Sequence, residues 1–137
     1  MIVIDASIAT KWLSNEPDSA AAARLLERDD SFVAPDIILA ETANALWKKQ
    51  RAADIDASGL ADAIAALLAI DLVLVRTGDL LKDAAILAAS HRHPVYDCLY
   101  LALARREGAT LATADLRLAR LSDRENVKTW RPDGPEI

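Results

Sequence analysis

Short aliphatic runs alternate with long helical segments along this chain, and that alternation limits the folds open to it. Ile2-Val3-Ile4, Leu72-Val73-Leu74-Val75 and Thr110-Leu111-Ala112-Thr113 are strand-like, with Phe32-Val33 and Val127-Lys128-Thr129 as weaker candidates. They lie too far apart in sequence for hairpins, so they read as strands of a parallel sheet joined by helical crossovers. The segments between them carry helical periodicity: Leu60, Ile64, Leu67 and Leu68 fall on one stripe. Pro17-Asp18-Ser19 opens a helix that the alanines continue through Leu26, and another is expected from Pro35-Asp36 through Lys48-Lys49. Further helices are expected over 79–91, 96–107 and 115–121. The pattern predicts a three-layer α/β/α sandwich around a central, mainly parallel sheet.

The 137 residues suit a single domain, 1–137, with Arg131 to Ile137 reading as a C-terminal tail. A hydrophobic content of 53% gives the chain enough apolar surface to offset its ordering entropy, which excludes intrinsic disorder. Cys98 is the only cysteine, so no internal disulfide or thiolate metal cluster can form. No basic n-region precedes an apolar run at the N-terminus, and no run approaches the roughly 20 residues needed to cross a bilayer. The expected setting is cytoplasmic, with no membrane partner. A formal net charge of −5 argues against a general nucleic-acid coat protein, whose affinity rests on excess Lys and Arg. It leaves open an acidic enzyme that meets phosphates through a metal.

In an open parallel sheet the residues just past the carboxyl ends of the strands share one edge, where ligands bind. Asp5 directly follows Ile2–Ile4, and Asp115 follows Thr110–Thr113 after a single alanine. Each acid alone also suits helix capping, Asp5 with Ser7 and Asp115 with Thr113. Glu41 has Ile37, Ile38 and Ala45 as helical neighbours, which puts its carboxylate on an apolar stripe; pairing with a base or reaching solvent is the alternative. Asp97 opens an almost wholly apolar helix, where it suits either capping or chemistry. Two carboxylates about 4 Å apart repel by about 4 kcal/mol at an effective dielectric near 20, so four acids on one edge require a cation. Oxygen donors without a cysteine or histidine cluster suit Mg²⁺ or Mn²⁺, which can hold a phosphoryl oxygen and activate water.

Asp5-Ala-Ser-Ile-Ala-Thr-Lys-Trp-Leu13, Glu41 with Asn44, Tyr96-Asp97-Cys-Leu-Tyr-Leu-Ala-Leu-Ala104 and Leu111-Ala-Thr-Ala-Asp115 occur in that order across nearly the whole chain. Together they resemble a PIN-domain ribonuclease of the VapC toxin family, part of a type II toxin–antitoxin system. The resemblance implies a Mg²⁺-dependent endoribonuclease with an acidic tetrad at Asp5, Glu41, Asp97 and Asp115 and an auxiliary hydroxyl at Thr113. It makes Asp5 and Asp97 the main metal ligands, Asp115 a further ligand or water-mediated contact, and Glu41 the group that positions water or a second ion. Ser7 and Thr113 would orient carboxylates or a substrate phosphate. The resemblance also implies a homodimer silenced by a VapB-type antitoxin.

An acidic protein must bind RNA through local positive charge. Lys11 lies nearest Asp5 in sequence and is the basic residue expected beside the site; Lys48, Lys49 and Arg51, Arg105 with Arg106, and Arg117 with Arg120 form other clusters. Trp12 and Trp47 read as packing or interface residues, His91 and His93 as surface residues of a loop, and Cys98 as a small buried hydrophobe. An aspartyl phosphatase is disfavoured because Ser7, not a second acid, follows Asp5 by two residues. A PIN nuclease that is not a toxin, or a metal-binding α/β module without turnover, are the alternatives.

Overall fold

The computed structural model describes residues 1–135. Five short strands form one parallel sheet: β1 (Ile2–Ile4), β2 (Phe32–Pro35), β3 (Leu72–Val75), β4 (Thr110–Ala112) and β5 (Thr129–Trp130), in the order β3-β2-β1-β4-β5. The helices are α1 (Ala6–Trp12), α2 (Ser19–Ala23), α3 (Ile38–Arg51), α4 (Ala57–Ala69), α5 (Thr77–His91), α6 (Val95–Glu107) and α7 (Leu116–Arg124). The architecture is the expected α/β sandwich with helices flanking a parallel sheet. Chain order runs outward from β1 in both directions, so the topological switch lies between β1 and β4.

The core explains the strand composition. Val3, Ile4, Leu111 and Ala112 are fully buried, as parallel strands covered on both faces must be. Cys98 through Ala104 of α6 are buried without interruption, and α6 touches β1, β2 and β4. It is the central helix that its apolar sequence implied.

Several boundaries differ from the sequence expectation. The segment at Pro35-Asp36 is not a helix start: Pro35 ends β2 in register with Val75, and α3 begins at Ile38. Asp36 instead accepts from the Thr77 backbone N–H at 3.0 Å, so it serves the first turn of α5 from a neighbouring strand end. The helix expected through Leu26 tightens after Ala23 into a 3₁₀ turn, Arg24–Glu27. The α4 stripe is only partly used, because α4 packs chiefly on α3: Leu67 is buried, whereas Leu68 is 66% exposed. Within the expected tail, Pro132 is buried and the Gly134 N–H bonds the Arg131 carbonyl at 3.1 Å. Glu136 and Ile137 lie outside the described residues.

Candidate active site

Asp5 leaves β1 at the switch point, and its N–H continues the ladder to the Ala112 carbonyl at 3.0 Å. It stands at the N-cap of α1 but makes no side-chain cap. Its Oδ2 instead accepts from Ser7 Oγ at 2.6 Å and Thr113 Oγ1 at 2.8 Å. Only 5% exposed, the Asp5 carboxyl is pushed up to about 6 by burial, against those two hydrogen bonds and with the charges of Asp97 and Glu41 adding to the rise. Ser7 Oγ also accepts from the Ala114 N–H at 2.9 Å, which ties α1 to the turn after β4.

Thr113 is fully buried and links two acids. Its hydroxyl donates to Asp5 and accepts the Asp115 N–H at 3.0 Å. Asp115 then caps α7, with Oδ1 accepting from the Arg117 N–H at 2.8 Å and the Leu118 N–H at 3.4 Å. The capping geometry foreseen for Asp115 is therefore present, while the same residue lines the cavity that holds Asp5.

Glu41 sits half-buried in the first turn of α3, where Tyr100 Oη donates to its Oε1 at 2.6 Å. Burial raises its pKa, the tyrosine bond opposes that, and the charge of Asp97 adds to it. Tyr100 comes from the middle of α6 and is itself fully buried; nothing in the local sequence distinguished it from a core aromatic. Asn44, one turn on, is exposed.

Asp97 is the third residue of α6. A carboxylate there usually reaches back to the N-cap backbone N–H, but the N-cap is Pro94, which has none. It takes a proton donor from outside the helix instead: His93 Nε2 lies 2.7 Å from Asp97 Oδ2, and the histidine side chain is only 8% exposed. The expectation that both histidines are surface loop residues fails here. His91 ends α5 and pairs with Glu125, and His93 is folded inward against an acid four residues on. The i, i+4 spacing of His93 and Asp97 was the available signal, obscured by the proline between them.

Asp5, Glu41, Asp97 and Asp115 all line one cavity of about 440 Å³, together with Ser7 and Lys11. The hollows lined by Trp130 and Arg131 and by Ile86 and Arg105 hold none of these acids. Lys11 reaches the cavity, yet its ammonium is engaged by Glu16 at 2.8 Å and lies 3.9 Å from Asp18. Cys98 is buried beside Asp97, and burial followed by that charge pushes its thiol up to about 11, which suits packing and not nucleophilic attack. Trp12 packs on Phe32 and donates its indole N–H to the Ala22 carbonyl at 2.8 Å, Trp130 is buried, and Trp47 is exposed with Arg51 over its ring.

The donor set is suited to a hard cation. It offers carboxylate and hydroxyl oxygens, and the most buried acid resists ionisation unless positive charge is supplied. Among the described residues no three acid, histidine or cysteine side chains close into a ready-made ligand cluster. Spread around a cavity of about 440 Å³, the acids fit an ion that keeps much of its water shell, as Mg²⁺ does.

A parallel sheet with a carboxylate-lined cavity at its switch point defines an α/β domain with an acidic site, and comparison with known proteins places it further. The PIN domain family model matches residues 2–124. The chain is 32% identical over 121 residues to Ribonuclease VapC3 of Pyrobaculum aerophilum, a match spanning 86% of this chain and 92% of that protein. In fold it is similar to Mycobacterium tuberculosis VapC20, a Sarcin-Ricin loop cleaving toxin, with a TM-score of 0.70 at 17% identity over 88% of this chain and 94% of that one. It is also similar to VapBC2 of Rickettsia felis bound to a DNA fragment from its promoter, with a TM-score of 0.65 at 17% identity over 96% and 98%. The chain belongs to the PIN-domain family, in its VapC ribonuclease branch.

Proposed function

We propose that this protein is a Mg²⁺-dependent endoribonuclease, the toxin of a VapBC-type module, with Mn²⁺ as an alternative ion. The observation that carries the reading is the gathering of Asp5, Glu41, Asp97 and Asp115 around one cavity at the β1/β4 switch, in a VapC-family chain. Asp5, Asp97 and Asp115, with Glu41, would hold the ion, which supplies charge for a phosphoryl oxygen and lowers the pKa of water. The chain's own residues do the rest. Ser7 and Thr113 fix Asp5 through Oδ2, and His93 fixes Asp97 through its Oδ2. Tyr100 occupies Glu41 Oε1, which leaves Oε2 to orient the attacking water and accept its proton; the raised proton affinity of Glu41 suits that task. Asp115, held by the first turn of α7, lines the same cavity.

The partners follow from the same reading. A VapB-type antitoxin is supported by the family and by similarity to the VapBC2 complex. A homodimer is supported by the open edge of β3, where Val73 and Leu74 are exposed, and by exposed Leu68 on α4. No helix among the described residues is long and apolar enough to cross a membrane. The test is incubation of purified protein with structured RNA in Mg²⁺, with and without EDTA, beside Asp97→Asn. Cleavage that EDTA abolishes and the variant lacks is expected; cleavage by the variant at the parent's rate would reject the site. A chain that binds Mg²⁺ but cuts nothing would return the metal-binding module as the better reading.

A further inference from the structure

From Glu41, the α3 positions Ala45 and Lys49 follow at i+4 and i+8 on the same helical face, so Lys49 lies about 12 Å further along the helix axis. On α1, which packs against α3, Lys11 follows Ser7 by one turn. The small side chain of Ala45 lines the cavity, one turn after Glu41 and one before Lys49. Lys11 and Glu16 line the cavity, and Lys49, from a different helix, reaches its margin through Glu16.

The two lysines meet at Glu16, in the loop after α1. Lys11 Nζ lies 2.8 Å from Glu16 Oε2 and Lys49 Nζ lies 2.8 Å from Glu16 Oε1, one ammonium to each oxygen. All three side chains are largely shielded, at 13%, 21% and 22% exposure for Lys11, Lys49 and Glu16. Burial alone would raise the pKa of Glu16, but the two lysines outweigh it and hold the carboxyl below its ordinary value. Asp18, at 3.9 Å from Lys11, is a looser and more exposed neighbour. An oxyanion with two equivalent oxygens, each met by one ammonium, is also the pattern offered by the two non-bridging oxygens of a phosphodiester.

We propose that Lys11 and Lys49 form a phosphodiester-binding pair at the margin of the acid-lined cavity, held in the free protein by Glu16, which an RNA backbone phosphate displaces. The proposal rests on the nuclease reading, and deepens it by assigning the contact for a phosphate neighbouring the scissile one. It also gives the acidic protein a way to select polymers. A free phosphate must compete with a tethered carboxylate, whereas a phosphate on a strand already engaged at the acids arrives at high effective concentration. Glu16 thus screens the lysines from small anions and yields to RNA.

The test compares the parent with Lys11→Met, Lys49→Met, Lys11→Arg, Lys49→Arg and Glu16→Gln, all checked by thermal melts. Binding of a short fluorescent single-stranded RNA is followed by anisotropy in EDTA across a range of salt. Each methionine variant should bind about five- to ten-fold more weakly, with a shallower salt dependence; each arginine variant should stay near the parent, and Glu16→Gln should bind several-fold more tightly. In Mg²⁺ the methionine variants should raise KM and leave kcat nearly unchanged, since they do not touch the acids. Methionine variants that keep the parent's affinity and salt dependence, or a Glu16→Gln chain that binds no tighter, would overturn the proposal. If the parent cleaves no RNA in Mg²⁺, the nuclease reading fails separately, and the anisotropy series still reports on the lysines.

Discussion

At the scale of single residues, Asp5 is a charge the fold buries at a cost. Its carboxyl titrates at about 6 in the folded chain against 3.8 for the unperturbed group. Between those values the native state holds a proton that the unfolded state has lost. The stability it contributes is full below about pH 4 and is lost as the pH rises past 6, on the order of 3 kcal/mol in total. Asp5→Asn keeps an acceptor for Ser7 and Thr113 without the charge, so in EDTA at neutral pH it should melt several degrees above the parent while losing cleavage. A melt at or below the parent's would contradict the burial argument. His93 acts at the same scale: removing it with His93→Ala should raise the Mg²⁺ concentration needed for half-maximal cleavage by about ten-fold, and His93→Gln, which can still donate, should recover part of that. Calorimetry of Mg²⁺ binding to the two variants checks the shift independently of turnover.

At the scale of elements, two helix ends frame the α6 segment that carries Asp97 and Tyr100. The chain leaves α5 through Arg92 at φ 51° and leaves α6 through Gly108 at φ 59°. Both are left-handed, but only the glycine does so without a Cβ penalty. Gly108→Ala should destabilise by about 1 kcal/mol, and Arg92→Gly should be neutral or stabilising by up to about 1 kcal/mol, both read from urea midpoints. The strain at Arg92 is coupled to the site, because it sets the turn that brings His93 back against Asp97 before Pro94 starts α6. Arg92→Gly keeps the same left-handed turn without the Cβ penalty, so the Mg²⁺ concentration for half-maximal cleavage should stay near the parent's; a marked rise would show that the Arg92 side chain, and not the turn, supports Asp97.

At the scale of the whole molecule, the net charge of −5 is unevenly distributed: Asp5, Glu16, Glu41, Asp97 and Asp115 line one cavity in which Lys11 is the basic residue. A divalent cation binds the folded arrangement and not the unfolded chain, so it should raise the melting temperature by mass action, about 2.7 kcal/mol when the ion stands at 100 times its dissociation constant. The gain should be large at about pH 7.5 and smaller near pH 5, where Asp5 holds its proton and must release it to bind. Scanning fluorimetry with and without Mg²⁺ at the two pH values measures the difference; an equal gain at both would remove Asp5 from the ligand set.

The alternation of aliphatic runs with helical stripes determined the fold class, because periodicity is written along the chain and a parallel sheet needs helical crossovers. It also placed Asp5 and Asp115 at strand ends and Glu41 on a core-facing stripe. The tertiary structure decided which distant side chains hold those acids. Thr113 meets Asp5 across 108 positions of sequence and Tyr100 meets Glu41 across 59. Glu16 joins lysines from α1 and α3, a bridge set by how those helices lie together. Periodicity gives the face of an element but not which two faces the crossovers bring together. For that reason the carboxylates were legible, Ser7 and Thr113 entered through local capping and the family resemblance, and Tyr100 and His93 were not read as donors.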